Sequence, residues 1–359
     1  MALWQDEVTA REVPAARWTA IAWLVLLTVV VAVAAWEWQM RRLGLRAGDL
    51  DDGKSHWAVE RRKVATGEHD GVVIIGSSRI LFDTNLDDWE ALTGLRPVQL
   101  ALPGTNPRPH LKELAENSDF AGLLVVGVAP DIFFTDWSGI PEFAGLIDFW
   151  HQESPSSRLG HHIDQWLQRR LAFLDSAYRL GTLIDRGAPF TDREGVRGPI
   201  RDVWKIFENG DDRQTTLWHR IETDERLRDH ARWVWGPFGG QPRIEEADAE
   251  RIIAETRRDV DLIRARGGEV VFIRAPSADL YLESENQGQP RARTWDPLLA
   301  ATATYGIHFE DHAAMRSLSV PEWSHLSAES QRVFTRECVR LLVENVPWLR
   351  QHASGNRQP

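Results

Sequence analysis

The sequence predicts an α/β protein in which a parallel, doubly wound sheet follows one N-terminal transmembrane helix. Three observations lead to this prediction. An uncharged apolar run covers residues 18–36, short β-branched runs alternate with amphipathic helical stretches, and glycine or proline ends several of these runs. Strands that are buried on both faces appear in a sequence as continuous apolar runs. Their alternation with helices is typical of a doubly wound sheet.

The apolar run is close to the roughly 20 residues that a helix needs to cross a bilayer core. Tryptophans bracket it at positions 18, 36 and 38, and arginines flank it at positions 17, 41 and 42. This is the usual arrangement of interfacial residues around a membrane span. We predict an uncleaved anchor over residues 18–38, preceded by an N-terminal tail over residues 1–17.

The alternative is a cleaved signal peptide with Ala32-Val33-Ala34 as its small-residue cleavage site. The long leading segment, which contains Asp6, Glu7 and Glu12, favours the anchor. Arginines lie on both sides of the run, so the charges alone do not settle the topology.

The remaining chain divides into five segments. A polar juxtamembrane stalk that docks on the domain is expected over 39–70, and a polar tail over 350–359. Residues 71–139 and 243–349 are the two halves of the α/β domain, separated by a tryptophan-rich helical insertion over 140–242 without a clear strand. The predicted strands cover 72–75, 97–102, 123–128, 269–273 and 307–309.

The composition of the chain argues against several kinds of partner and site. A net charge of −11 argues against a nucleic-acid partner, because phosphate binding needs clustered lysine and arginine. The single cysteine, Cys338, excludes an internal disulfide and a cysteine metal cluster. We expect it to be an inert core residue.

Two short segments have the residue types of a serine nucleophile and its base. Gly76-Ser77-Ser78 follows the first predicted strand, and Glu322-Trp323-Ser324-His325 precedes the last predicted helix. A serine at the carboxyl end of a parallel strand lies where open sheets bind ligands. His325 would accept its proton, and Glu322 would orient the imidazole. Alternatively, the serines of both segments cap helices; the order of the segments favours the catalytic interpretation.

These segments resemble the motifs of the SGNH (GDSL-like) hydrolase superfamily, with Ser77 for the usual Asp and Glu322 for Asp. The likeness covers residues 71–135 and 243–346 and implies the flavodoxin-like SGNH fold. It implies Ser78 as nucleophile, His325 as base and Glu322 as orienting acid. The family's lone-glycine block is matched by Gly104, whose backbone N–H would form the oxyanion hole together with that of Ser78.

One motif departs from the family. Its third block is Gly-x-Asn-Asp, whose Asn donates to the oxyanion, whereas this chain has Gly127-Val128-Ala129-Pro130-Asp131. Asn106 and Arg79 are the nearest replacements for that donor. Arg79 and Arg274, which ends the fourth predicted strand, are also candidates for substrate binding.

The Gly-Ser-Ser block is also similar to that of membrane-anchored envelope proteins of this fold, including those tied to teichoic-acid D-alanylation, with alginate O-acetylation proteins as broader relatives. The resemblance implies a serine esterase or O-acyltransferase with no cofactor and no metal. Its partner would be an acyl-bearing small molecule, glycan or lipid. It also implies an inner-membrane protein with its domain on the periplasmic or extracytoplasmic side. The alternative is a non-catalytic scaffold in an envelope assembly.

The insertion and the segments leading to it are rich in tryptophan. These indoles would form either a carbohydrate platform or the core of a helical subdomain, and we favour the core. The residues are Trp137, Trp150, Trp166, Trp204, Trp218, Trp233 and Trp235.

Overall fold

The computed structural model of the protein describes residues 15–65, 71–187, 203–238, 240 and 243–355. The strands are β1 (Val72–Ile75), β2 (Val98–Gln99), β3 (Leu123–Gly127), β4 (Phe207–Asn209), β5 (Thr215–Leu217), β6 (Glu269–Arg274) and β7 (Tyr305–His308). Five of them form a parallel sheet in the order β2-β1-β3-β6-β7. This is the strand order of flavodoxin-like doubly wound sheets.

The α-helices of the described residues are α1 (Trp18–Arg42), α2 (Lys54–Ala65), α3 (Ser78–Asp83), α4 (Leu86–Thr93), α5 (Arg108–Asn117), α6 (Pro130–Phe133), α7 (Leu146–Gln152), α8 (Pro155–Gln168), α9 (Leu180–Gly187), α10 (His219–Thr223), α11 (Glu225–Trp235), α12 (Glu246–Ala265), α13 (Asp279–Gly288), α14 (Trp295–Thr302), α15 (Ala313–Arg316), α16 (Ala328–Asn345) and α17 (Pro347–Gly355). Short 3₁₀ segments cover Pro141–Phe143, Ala172–Leu174, Gly236–Phe238, Arg291–Arg293 and Phe309–Asp311.

Successive strand residues point to opposite faces of the sheet, and each face has its own apolar core. Val73 and Ile75 of β1 pack in the cluster that contains residues of α5, α12 and α14. Val72 and Ile74 pack in the cluster on the other face, with residues of α3, α4 and α16. Helices therefore cover both faces. The prediction of an α/β protein with a parallel sheet is confirmed.

The bounds of some strands differ from the sequence prediction. The strand predicted over 307–309 covers Tyr305–His308, and Phe309 begins a 3₁₀ segment. The second strand is only Val98–Gln99, although Leu100 and Leu102 still donate backbone hydrogen bonds to the chain at and after β1, at 2.8 and 3.0 Å. The insertion, in which no clear strand was expected, contains the antiparallel pair β4 and β5. That expectation was wrong, because strands of three residues are too short to produce a recognisable alternation.

Helix α1 is the one helix of the described residues that is long and apolar enough to cross a membrane. Its last turn packs on the domain, where Met40 and Leu45 join a cluster with Trp218 and Ile221. The described part of the juxtamembrane segment, residues 39–65, continues along the domain, and Trp57 of α2 donates to the Leu100 carbonyl at 3.0 Å. Residues 1–14 and 66–70 lie outside the described residues. At the other end of the chain, α17 extends into the predicted polar tail.

Candidate active site

Ser78 begins α3 directly after β1. Residues Ile75 to Ser77 carry the chain from the strand to the helix, at the edge where β1 and β3 both end. This is the point at which the strand order reverses, and open α/β sheets bind ligands there. Ser77 occupies the N-cap position, but its side chain makes no capping hydrogen bond. The interpretation of these serines as helix caps is therefore not supported, whereas Ser327 does cap α16.

Only a glycine fits at position 76, because the neighbouring chain leaves no space for a side chain. A Cβ atom at this position would lie 2.2 Å from Ile80 Cγ2 and 3.1 Å from Gly127 Cα. The ends of β1 and β3 are in this way brought close together beneath Ser78. The glycine of the motif has a packing role that is independent of any catalytic chemistry.

Glu322 and His325 form a buried acid–imidazole pair. Glu322 Oε1 accepts hydrogen bonds from His325 Nδ1 and from the His325 backbone N–H, both at 2.7 Å. Trp235 Nε1 donates to the other oxygen, Oε2. A proton on Nδ1 leaves Nε2 as the acceptor of the neutral ring. Nε2 is buried and has no hydrogen-bond partner among the described residues.

The turn that contains this pair is held in an unusual conformation. Trp323 has a φ of +77°, in the left-handed region that a bulky residue rarely adopts. The Trp323 carbonyl accepts from Ala278 N at 3.0 Å, and Leu326 N donates to Asp83 Oδ1 at 2.9 Å. Backbone strain of this kind persists where the surroundings fix it, and it is frequent at functional sites.

Ser78 and His325 line the same cavity, whose volume is about 510 Å³. Both halves of the α/β domain and the insertion contribute to its wall. The apolar lining residues are Phe82, Pro103, Ile132, Trp137, Ile140, Ile206, Phe207 and Trp235, and the others are Ser78, Gly104, Asp131, Thr135, Tyr281, Ser324 and His325. The volume lies within the usual range of small-molecule sites.

Gly104 lies in the cavity wall with a φ of +53°, and a Cβ atom there would approach Ile140 Cγ2 to 2.9 Å. The Ser78 N–H belongs to the first turn of α3, where backbone N–H groups have no partner within the helix. Asn106 is differently placed. Its Nδ2 donates to the carbonyls of Ile132, Thr135 and Trp137 at 2.9–3.2 Å. The geometry therefore does not support Asn106 as an oxyanion donor.

Arg79 and Arg274 are buried and share a carboxylate. Glu285 accepts from Arg79 Nη1 through Oε1 and from Arg274 Nη2 through Oε2, the latter at 2.5 Å. Burial alone would raise the pKa of Glu285, but Arg274 and Arg79 outweigh it and lower that pKa to about 2. Neither arginine lines the cavity, so the geometry does not support their predicted contact with substrate. They form a charged layer beneath the site.

Asp131 belongs to both the charged layer and the cavity. Its Oδ1 lies 3.5 Å from Arg79 Nη2, without hydrogen-bond geometry. Burial raises the pKa of Asp131 from 3.8 to about 6, against the lowering effect of Arg79. The carboxyl group therefore prefers its neutral form in the folded protein more than in the unfolded chain.

Replacing Asp131 by asparagine is expected to raise the free energy of unfolding at pH 7 by about 2–3 kcal/mol and to change it little at pH 4. Because the folded-state pKa of Asp131 is raised, its neutral carboxyl group contributes to the free energy of unfolding in full below about pH 4. This contribution is lost as the pH rises through about 6. The amide imitates the neutral acid at every pH. Urea unfolding of the full chain in detergent at both pH values measures the difference. An equal effect of the variant at pH 4 and pH 7 contradicts the prediction.

Two cavity residues, Asp131 and Tyr281, were not predicted as site residues from the sequence, and neither was the contact of Trp235 with Glu322. Trp235 reaches Glu322 from the insertion, and Tyr281 and Asp131 come from loops or helices that follow β6 and β3. For Asp131 a signal existed, because it follows a buried strand at the ligand-binding edge of the sheet. Only part of the expectation for the tryptophans is met: Trp218 is buried core and Trp150 packs partly buried against the core, whereas Trp137 and Trp235 line the cavity. The remaining three are about half-exposed and belong to neither group, namely Trp166, Trp204 and Trp233.

Comparison of the chain with known proteins found no family model that matches it and no similar curated protein.

Proposed function

We propose that the protein is a membrane-anchored serine esterase or O-acyltransferase that works through an acyl-enzyme on Ser78. The observation that supports this proposal most is the hydrogen bonding of the two ring nitrogens of His325. Its Nδ1 is bound to Glu322, and its Nε2 is unpartnered in a cavity that Ser78 also lines. A base oriented by a buried acid, with its second nitrogen left for a hydroxyl, is what serine nucleophiles need.

The reaction would proceed in two steps. Ser78 Oγ attacks the carbonyl carbon of the ester while His325 Nε2 takes the hydroxyl proton. The negative charge that develops on the carbonyl oxygen is stabilised by the backbone N–H groups of Gly104 and Ser78. Collapse of the intermediate breaks the C–O bond, and His325 returns the proton to the leaving alcohol. Water or an acceptor hydroxyl then takes the acyl group from Ser78 by the reverse sequence.

The composition of the cavity supports a neutral acyl group and a sugar or lipid as its carrier. No lysine or arginine is found among the described residues that line it, so an anionic acyl group has no cationic partner there. Trp137 and Trp235 line the cavity, and an indole is a side chain on which sugar rings stack. An envelope glycan or lipid is accordingly the proposed substrate.

The proposal includes the location of the protein in the cell. Helix α1 supports anchoring in a membrane, and the strand order supports the flavodoxin-like SGNH fold. The resemblance of the sequence motifs to that superfamily suggests the inner membrane, with the domain on the periplasmic or extracytoplasmic side.

A serine-reactive fluorophosphonate probe tests the proposal on the full chain in detergent. The probe is expected to label the wild-type protein, and mass spectrometry of the digested product is expected to locate the label on Ser78. Heat-denatured protein serves as the control, because it has lost the oriented histidine. Absence of labelling would contradict the enzymatic proposal. It would favour the scaffold alternative, with which the lack of any asparagine or glutamine among the described lining residues is consistent.

A further inference from the structure

Helices α8 and α9 expose apolar side chains to an unusual degree. Outside α1, the five most exposed large apolar residues of the described chain all lie on these two helices. They are Leu159 (62% exposed), Ile163 (53%), Trp166 (53%), Leu180 (61%) and Ile184 (61%). Their spacing of three or four residues places those of each helix on one face. Exposed apolar side chains grouped on one face of a helix mark an interaction site when they are not scattered singly.

Basic side chains accompany the exposed face of α8. Arg170, which follows the helix, lies over the Trp166 ring with 4.1 Å between its guanidinium carbon and the ring centroid. Arg158 and Arg169 are also about half-exposed, although each pairs with an acidic residue. Apolar side chains with tryptophan on one face and arginine at its border are typical of helices that lie in a membrane interface.

The end of α8 is fixed at the place where α1 leaves its apolar segment. No charged residue occurs in residues 18–36, so Glu37 is the first charge after the run. The Glu37 carboxylate accepts hydrogen bonds from the backbone N–H groups of Ala172 and Phe173, at 3.1 and 3.0 Å. Arg41 Nη2 donates to the Arg170 carbonyl at 3.3 Å. The chain that follows α8 is thereby attached to the polar end of the membrane helix.

The segment before α9 is attached to the same place. Tyr178 packs against the apolar cluster that contains Met40, with Trp36 also at its border. Arg179 pairs with Asp51 in the segment that follows α1. Both exposed helices therefore adjoin the point at which α1 meets the domain. No free linker separates them from that point.

We propose that α8 and α9 lie on the surface of the bilayer that α1 spans, with their exposed apolar side chains inserted at the boundary between headgroups and acyl chains. The bilayer is the occupant of this surface because the chain that follows α8 and precedes α9 is attached where the apolar part of α1 ends. The inference requires α1 to be in the membrane, but it is independent of the proposed enzymatic activity. It gives the domain a defined orientation relative to the membrane plane.

Site-specific fluorescence on the full chain in proteoliposomes tests this proposal. Cys338 is buried, so a cysteine introduced at an exposed position can be labelled selectively. An NBD fluorophore on Ile163→Cys, or on Ile184→Cys, is expected to show blue-shifted emission and to be quenched by lipids that carry a nitroxide near the top of the acyl chain. The matched control is Arg257→Cys on α12, which is similarly exposed at 62% in a charged surface. Its emission is expected to remain unshifted and unquenched by these lipids.

Two results would overturn the proposal. Lipid quenching at residues 163 and 184 that does not exceed quenching at residue 257 would show that the face does not touch the bilayer. Protection of the two probes from aqueous iodide without lipid quenching would assign the face to a second copy of the chain. Flotation of the protein with the vesicles after alkaline carbonate extraction establishes independently that the chain is integrally inserted, because helices that lie only on the surface are extracted.

Discussion

Replacing Ser78 by alanine is expected to lower the turnover of a short-chain aryl ester by about 10⁶-fold, to the residual rate left by binding and the oxyanion hole. Ser78 shares a cavity with the unpartnered Nε2 of His325, and among the hydroxyl-bearing residues of that cavity it is the one that follows β1 at the ligand-binding edge of the sheet. Without it no acyl-enzyme forms, and water must attack the ester directly. Steady-state release of the chromogenic alcohol by the purified full chain measures the effect.

Ser77→Ala is the matched control for this variant. Ser77 is the adjacent serine, it is buried, and its side chain makes no capping hydrogen bond. The control is expected to retain the turnover of the wild type. Equal activity in Ser78→Ala and wild type, or loss in Ser77→Ala alone, contradicts the assignment of the nucleophile.

Glu322→Gln tests the base of the same reaction, with an expected loss of about 10⁴-fold. Both carboxylate oxygens accept N–H groups, one from His325 and the other from Trp235. A glutamine has only one acceptor oxygen, so its NH₂ group must face one of these donors. If it faces His325, the ring adopts the tautomer that presents N–H to the serine. A preserved midpoint of thermal unfolding in this variant separates the loss of chemistry from a loss of folding.

Replacing Glu285 by alanine is expected to destabilise the folded protein by about 3–5 kcal/mol, the usual cost of breaking a buried ion pair by removing one partner. The variant leaves two buried guanidinium groups, those of Arg79 and Arg274, without the carboxylate to which both donate. Arg79 then keeps a nearby carboxyl group, that of Asp131, whose own pKa is raised, together with Ser324 and the Tyr281 ring. Arg274 keeps uncharged partners, namely Ser277, the Ala275 carbonyl and the Phe309 ring. Urea unfolding at pH 7 in detergent measures the difference.

Glu344→Ala provides the comparison for this stability effect. Glu344 also pairs with an arginine, Arg340 at 2.6 Å, but its side chain is 54% exposed on α16. Exposed pairs contribute about 0–1 kcal/mol, so little change is expected. If Glu285→Ala lowers the free energy of unfolding no more than Glu344→Ala does, the charged layer of Arg79 and Arg274 does not depend on the Glu285 carboxylate.

Local patterns in the sequence were sufficient to predict the parallel sheet and a helix over Trp18–Arg42 that is long and apolar enough to cross a membrane. Continuous apolar runs such as Val72–Ile75 have one explanation when they alternate with helices, because only a strand covered on both faces buries every side chain. The pairing of Glu322 with His325 was predictable for a similar reason. The two residues lie three apart in one turn, so their closeness follows from the local sequence, although contacts with Ala278 and Asp83 fix the conformation of that turn.

Contacts that depend on distant parts of the chain were not predictable. Nothing near Trp235 in the sequence indicates that its indole donates to Glu322, since the two are separated by 87 positions. Asn106 was a reasonable oxyanion donor from its distance to Gly104, but its amide holds three carbonyls of the loop around Ile132. Arg79 and Arg274 were expected to face a substrate and face Glu285 instead. A buried arginine adopts its position according to its partner, which the sequence does not identify.

The hydrogen bond between Trp235 and Glu322 has a consequence for engineering the protein. The insertion cannot be treated as an interchangeable recognition module, because it completes the shell of the carboxylate that orients His325. Grafting another insertion onto this core would remove the donor that Trp235 provides to the Glu322 carboxylate. A chimera that retained Ser78, Glu322 and His325 would still need an N–H group at the position of the Trp235 indole. A shortened insertion that lacks Trp235 therefore also changes the hydrogen bonding of the carboxylate that binds His325.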